Sequence, residues 1–139
     1  MTSPSALQRE YKIEIEDDII SIRQEVRELA QKNGFEPFAV AALTTAASEL
    51  SRNVWTHAKG GVAKIQLLRD KDRTGIELIF EDHGPGIADL DRVLAGGYST
   101  VKSLGLGLSG SKRLVDEFLI DTAVGRGTKI TLRKWKRKF

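Results

Sequence analysis

Gly75-Ile76-Glu77-Leu78-Ile79-Phe80-Glu81-Asp82-His83-Gly84-Pro85-Gly86 is the stretch on which the reading of this chain turns. Gly75 to Glu81 has the β-branched and aromatic content of a strand, and it runs directly into an aspartate followed by glycines at alternate positions. The strand therefore delivers the Asp82 carboxylate to a point where the backbone turns sharply, and Gly84 and Gly86 let the chain approach a flat ring closely. A carboxylate so placed can accept a hydrogen bond from an exocyclic amine such as that of adenine, whereas guanine presents a carbonyl there. Taken alone, a plain Asp/Pro/Gly turn accounts for the segment equally well.

Upstream, Val62 to Leu68 reads as a second strand, joined to the first by the charged turn Arg69 to Thr74, so the two form a hairpin. Tyr11 to Ile15 alternates apolar and charged residues and opens the domain as a half-buried strand, with residues 1–9 expected to be disordered. From Asp17 or Asp18, Ile19, Ile22, Val26, Leu29 and Ala30 recur at helical spacing until Asn33-Gly34 stops them. A second helix is expected from Pro37 to about His57, ending before Gly60-Gly61. It carries Glu49 and Asn53 four residues apart, hence on one face and one turn apart. An Asn carbonyl is a hard oxygen donor suited to Mg²⁺, and a carboxylate beside a metal-bound nucleotide can accept the proton of an attacking hydroxyl. Exposed Glu and Asn at this spacing are common on helices, so the pair acquires meaning only from its company. His57 and His83 are assigned no chemistry.

Downstream, Asp89 to Gly97 is expected to hold a short helical turn, and Gly96 to Ser103 has the Gly, Ser and Thr content of a lid that orders on ligand binding. Lys102 in that lid could meet a terminal phosphate, although a lysine on a loop is more often simply solvated. Gly105-Leu106-Gly107 then leads into a third helix, expected over Leu108 to Phe118, where free backbone amides and the helix dipole can receive phosphate. Leu119 to Val124 and Thr128 to Trp135 read as strands joined across Gly125-Arg126-Gly127, and the Thr128 hydroxyl could bond Asp82 or an adenine edge. Five strands and three helices that do not strictly alternate fit a two-layer α/β (α+β) sandwich better than a doubly wound parallel sheet.

At 139 residues and 15.4 kDa, with 40% hydrophobic content, the chain suits one domain with a proper core, expected over residues 10–139. It has no cysteine, which excludes disulfides and thiolate metal sites and agrees with a reducing, cytoplasmic setting. Met1 to Glu10 lacks an apolar signal core and no apolar run reaches membrane-spanning length, so export and membrane insertion are not expected. The net charge is +3, but Arg133, Lys134, Lys136, Arg137 and Lys138 supply five of the 22 basic residues. That leaves 17 against 19 acidic ones, about −2 for the body, so nucleic-acid binding by the fold is not expected. The tail, with Trp135 and Phe139, reads as a solvated strand end in preference to an anchor for an acidic partner.

Glu49xxxAsn53, Asp82xGly84xGly86, Gly105xGly107 and Gly125xGly127-Thr128, in this order, resemble the four nucleotide-binding boxes of the GHKL ATP-binding superfamily, which includes gyrase, MutL and histidine-kinase catalytic domains. Ser48 to Val54, Glu81-Asp82-x-Gly84-Pro85-Gly86-Ile87, Gly97-Tyr98-Ser99-Thr100 and Lys112 to Phe118 narrow the likeness to RsbT-type switch kinases, although these can carry a small residue where Leu106 stands. The resemblance implies the Bergerat fold, a mixed, mostly antiparallel sheet covered on one face by helices. It further implies an ATP- and Mg²⁺-dependent serine/threonine kinase that phosphorylates a STAS-domain protein in a stressosome-like, partner-switching module and then changes partner, typically to a phosphatase. On it, Glu49 is the catalytic base, Asn53 the Mg²⁺ ligand and Asp82 the adenine reader. Gly84, Gly86, Ile87, Lys102, Gly105, Leu106, Gly107, Leu108, Gly127 and Thr128 complete the nucleotide site. The alternative is an anti-sigma factor acting as an ATP-gated binding module that holds a sigma factor. A detached histidine-kinase domain lacks its phosphoacceptor helix pair here, and a hydrolytic ATPase of the gyrase kind lacks its transducer domain. Oligomeric state is left open.

Overall fold

The computed structural model describes residues 3–88 and 102–137. The first helix, α1 (Asp17–Lys32), starts where Asp18 Oδ2 accepts the amides of Glu14 at 2.8 Å and Ile15 at 3.0 Å, satisfying donors that the helix cannot. It stops as expected: the Asn33 side chain donates to Leu29 O at 2.8 Å and Gly34 turns the chain at φ +78°. Ile19, Ile22, Val26 and Ala30 form its buried face. Pro37 occupies the first turn of α2 (Pro37–Ala58), which has ten buried residues and ends where Lys59 adopts a left-handed conformation at φ 64°.

The strands are β1 (Ser3–Ile13), β2 (Gly61–Asp70), β3 (Arg73–Asp82), β4 (Glu117–Ala123) and β5 (Gly127–Trp135), in the sheet order β1-β2-β3-β5-β4. All four pairings are antiparallel. Successive side chains alternate between faces, so Ala63, Ile65 and Leu67 of β2 share a face with Ile76, Leu78 and Phe80 of β3 and with Ile130 and Leu132 of β5, and all enter one core with Ile22, Val26, Leu43 and Leu50 of the helices. The opposite face carries ion pairs across the strands, Lys64–Glu81 at 3.0 Å and Arg133 with Glu77 at 2.7 Å and Glu117 at 3.3 Å. Glu77 and Glu117 accordingly hold the Arg133 guanidinium above its usual pKa, so this member of the basic tail is a structural cation of the sheet. The sequence order thus gives the two-layer α+β sandwich expected, with helices on one face.

Both ends of β1 and of the third helix differ from expectation. β1 begins at Ser3, although residues 1–9 were expected to be disordered, because the free edge of β2 pairs with it through backbone bonds that need no side-chain alternation. Its register is Ser3 opposite Arg69 and Gln8 opposite Gln66, with an irregularity between Pro4 and Gln8. It also stops at Ile13, leaving Ile15 57% exposed. The third helix, α3 (Lys102–Leu114), starts six residues before the expected Leu108 and ends before Phe118, which lies in β4. α3 packs on α2, and Leu108 is fully buried in the core. The expected turn within 89–97 and most of the expected lid lie outside the described residues; Lys102 and Ser103 are the first residues of α3.

Candidate functional site

The last turns of α2, the end of β3 and the start of β5 meet at one end of the molecule around a small cavity. Leu50, Asn53, Val54 and His57 reach it from α2, Asp82 and Ile87 from β3 and the loop after it, and Thr128 from β5. Asp82 and Thr128 are register partners across β3 and β5, so two residues 46 apart in sequence face each other because the sheet inserts β5 beside β3. The Asp82 carboxylate is oriented by the Gly84 amide, which donates to Oδ1 at 2.9 Å. The other oxygen is left to accept a hydrogen bond from the cavity side, the chemistry of an amine reader.

The loop from His83 to Ile87 is pinned by β4. Thr122 Oγ1 accepts the Ile87 amide at 3.0 Å, donates to Gly127 O at 3.1 Å and lies 2.8 Å from Thr128 Oγ1. With its one proton on Gly127 O, Thr122 accepts from Thr128, and Thr128 then presents lone pairs to the cavity. The Gly125 amide adds a bond to Pro85 O at 2.9 Å. The Cβ positions of Gly84 and Gly86 are taken up by protein. A Cβ on Gly84 would stand 2.6 Å from Ala58 Cβ, and one on Gly86, at φ +77°, 2.2 Å from Ala123 O. These glycines let the loop seat between α2 and the β4–β5 turn, and through that seat they fix Asp82.

Asn53 and Glu49 lie on α2 one turn apart and both are half-buried. Asn53 lines the cavity, with its Nδ2 buried and lacking a partner among the described residues, whereas Glu49 stands a turn further from it. The unpartnered Nδ2 is a donor and would meet an acceptor on a ligand, whereas the carbonyl oxygen of the same amide is the hard donor that suits Mg²⁺. Among the described residues no three His, Asp or Glu side chains converge as a protein cage.

His57, assigned no chemistry from sequence, is in the cavity wall. Its Nε2 is buried without a partner among the described residues, and burial pushes its pKa below the ordinary histidine value against the opposing pull of Asp82. Glu49, Asn53 and His57 follow at four-residue intervals on one helix face, a periodicity that could have identified it. Thr122 was missed too; its signal is a polar residue at the inward strand position after Phe118 and Ile120.

Other expected positions fall differently. Gly105, Leu106 and Gly107 are within α3 and do not precede it, so the amides that a helix leaves without partners belong to Lys102 through Gly105. Leu108 is fully buried in the core cluster. The cavity that the described residues enclose measures about 40 Å³.

The chain matches the histidine kinase-like ATPase domain family over residues 15–134. It is 43% identical over 126 residues, 91% of this chain and 95% of the relative, to the serine/threonine-protein kinase RsbT of Bacillus subtilis. Among solved structures it resembles the RsbU and RsbW domains of Rv1364c from Mycobacterium tuberculosis, with a TM-score of 0.62 and 22% identity over 97% of this chain and 33% of that one. It also resembles the SiaB–SiaC complex of Pseudomonas aeruginosa, with a TM-score of 0.54 and 14% identity over 94% of this chain and 89% of that one. At such identities these structures speak for the fold alone. The family match, the antiparallel sheet packed against α1, α2 and α3 and the cavity shared by Asn53, Asp82 and Thr128 place this chain in the histidine kinase-like ATPase domain family.

Proposed function

We propose that this protein is an ATP-dependent serine/threonine kinase of a partner-switching module, with residues 10–139 as one catalytic domain and a STAS-domain protein as its substrate. The observation that carries the reading is the convergence of Asp82, Thr128 and Asn53 on one cavity, with Glu49 a turn away, in a chain 43% identical to a serine/threonine kinase over nearly its full length. Asp82 and Thr128 accept hydrogen bonds from the exocyclic amine of adenine. The amides that α3 leaves without helical partners, from Lys102 to Gly105, would receive the phosphates, and Lys102 would supply a cation for the terminal one. Asn53 would hold Mg²⁺, which supplies charge neutralisation at the phosphates when bound. Glu49 takes the proton of the substrate hydroxyl as that oxygen bonds to the γ-phosphorus; the bond from phosphorus to the β–γ bridging oxygen breaks, and ADP leaves.

After transfer the phosphorylated substrate releases the kinase for its next partner, such as a phosphatase. The setting proposed is cytoplasmic; among the described residues no helix is long and apolar enough to cross a membrane. The test is to incubate the protein with Mg-ATP labelled in the γ-phosphate and a STAS-domain protein encoded near it. Label on serine or threonine of the acceptor is the expected result. An ATP-dependent complex with a sigma factor and no label would overturn the kinase reading in favour of a binding module.

A further inference from the structure

A second, larger recess lies at the other end of the molecule. It is a cleft of about 600 Å³ bounded by the α1–α2 connection, the start of β3, the start of β4 and the end of β5. α2 joins the two places. From Ala39 at the cleft to Val54 at the nucleotide cavity is 15 residues, or about 22 Å at 1.5 Å per residue.

The floor of the cleft is built, not incidental. Trp135 is 8% exposed and held on three sides. Its amide donates to Asp116 Oδ2 and its Nε1 to Glu117 Oε2, each at 2.7 Å, and Arg73 stacks on its ring with Cζ 4.0 Å from the centroid. Beneath it Gly75 has no side chain; a Cβ there would stand 2.6 Å from the ring. Phe35 is buried beside it, while Phe38, in the first turn of α2, is 73% exposed at the rim.

The charge of the cleft follows from which side chains are committed. Asp116 and Glu117 spend their carboxylates on Trp135, and Glu117 also on Arg133. Among the described residues no hydrogen bond or ion pair engages the side chains of Lys134, Lys136 or Arg137, all of which line the cleft. Arg73, Lys134, Lys136 and Arg137 against Glu36, Asp116 and Glu117 give the cleft a charge of about +1, with the three cations that no described side chain engages at its rim, around a rigid aromatic floor and one exposed phenylalanine. That combination of a desolvated aromatic anchor and a cationic rim complements an acidic peptide that also carries apolar side chains.

We propose that this cleft is a docking site for an acidic segment of a partner protein, separate from the nucleotide cavity. The proposal does not rest on the kinase reading, because it requires neither ATP nor phosphotransfer.

The test uses the full chain and a short fluorescent peptide of alternating glutamate and leucine, with fluorescence anisotropy as the readout. A lysine-leucine peptide and oligouridylate of equal length serve as comparisons. The expected result is saturable binding of the acidic peptide that weakens with salt and falls at least about tenfold in the Lys134→Glu/Lys136→Glu/Arg137→Glu variant, with ATP affinity unchanged. Phe38→Ser, at an exposed position, should weaken the peptide without affecting ATP. Absence of saturable binding to the wild type, or equal binding by the triple variant, would overturn the proposal. So would tighter binding of the RNA, or self-association of the wild type that the triple variant abolishes, which would assign the cleft to a second copy of this chain.

Discussion

Replacing Thr122 by valine keeps the shape of the side chain and removes the oxygen on which the loop from His83 to Ile87 hangs. Three hydrogen bonds disappear, to the Ile87 amide at 3.0 Å, to Gly127 O at 3.1 Å and to Thr128 Oγ1 at 2.8 Å. At about 1 kcal/mol net each, the ceiling is about 3 kcal/mol. The site is half-buried, so water recovers part of this and the expected loss is about 2 kcal/mol, or about 6 °C in Tm for a chain of this size. The loop so released carries Asp82 at its root, and it must be re-ordered when nucleotide binds. If about 1 kcal/mol of the loss falls on that step, the Kd for ATP rises about fivefold. Urea denaturation and calorimetric titration of ATP measure the two quantities, and Thr122→Ser, which keeps the hydroxyl, should stay near wild type in both. A variant that loses stability but binds ATP as before would refute the link between this hydroxyl and the site. One that changes neither would refute the bonds themselves.

Asp82→Asn replaces a charged acceptor by an amide that can present the wrong group, and should raise the Kd for ATP ten- to a hundredfold while leaving Tm within a few degrees, as read by calorimetric titration. Gly127→Ala places a Cβ 2.1 Å from Asp82 O at a φ of +114°, so it should cost about 2–4 kcal/mol in urea denaturation; a cost below ~0.5 kcal/mol would show the turn to be soft. Burial lowers the pKa of His57 in the folded state, so the unfolded chain takes up the proton first as pH falls through about 6.5. Stability owed to this group is therefore present above that pH and lost below it. The difference in stability between wild type and His57→Gln should change between pH 7.5 and 5.5, and a constant difference would rule the group out.

What the sequence disclosed were features with local chemistry. The stop at Asn33-Gly34, the proline start of α2 and the arrival of Asp82 at the end of a strand all depend on residues within a few positions of each other. What it concealed depends on distant partners. Ser3 to Arg9 becomes a strand because an edge of β2 is free, and nothing in its own alternation says so. α3 starts at Lys102 in spite of its glycines, and Gly84 and Gly86 seat against Ala58 and Ala123. Thr122 and Trp135 matter through residues across the sheet, Thr128 for the one and Gly75 for the other, and only the register reveals which residues those are.

The central claim is that Glu49 acts as the base of a phosphotransfer reaction in a site assembled by Asn53, Asp82 and Thr128. Its most direct test is transfer of γ-phosphate from Mg-ATP to a STAS-domain protein by wild type and Glu49→Gln side by side, with ATP affinity measured on the same samples. The account predicts that transfer falls by about 10²- to 10⁴-fold in the variant while the Kd for ATP stays within a few-fold of wild type. Transfer at the wild-type rate by Glu49→Gln, with ATP bound equally well, would contradict it.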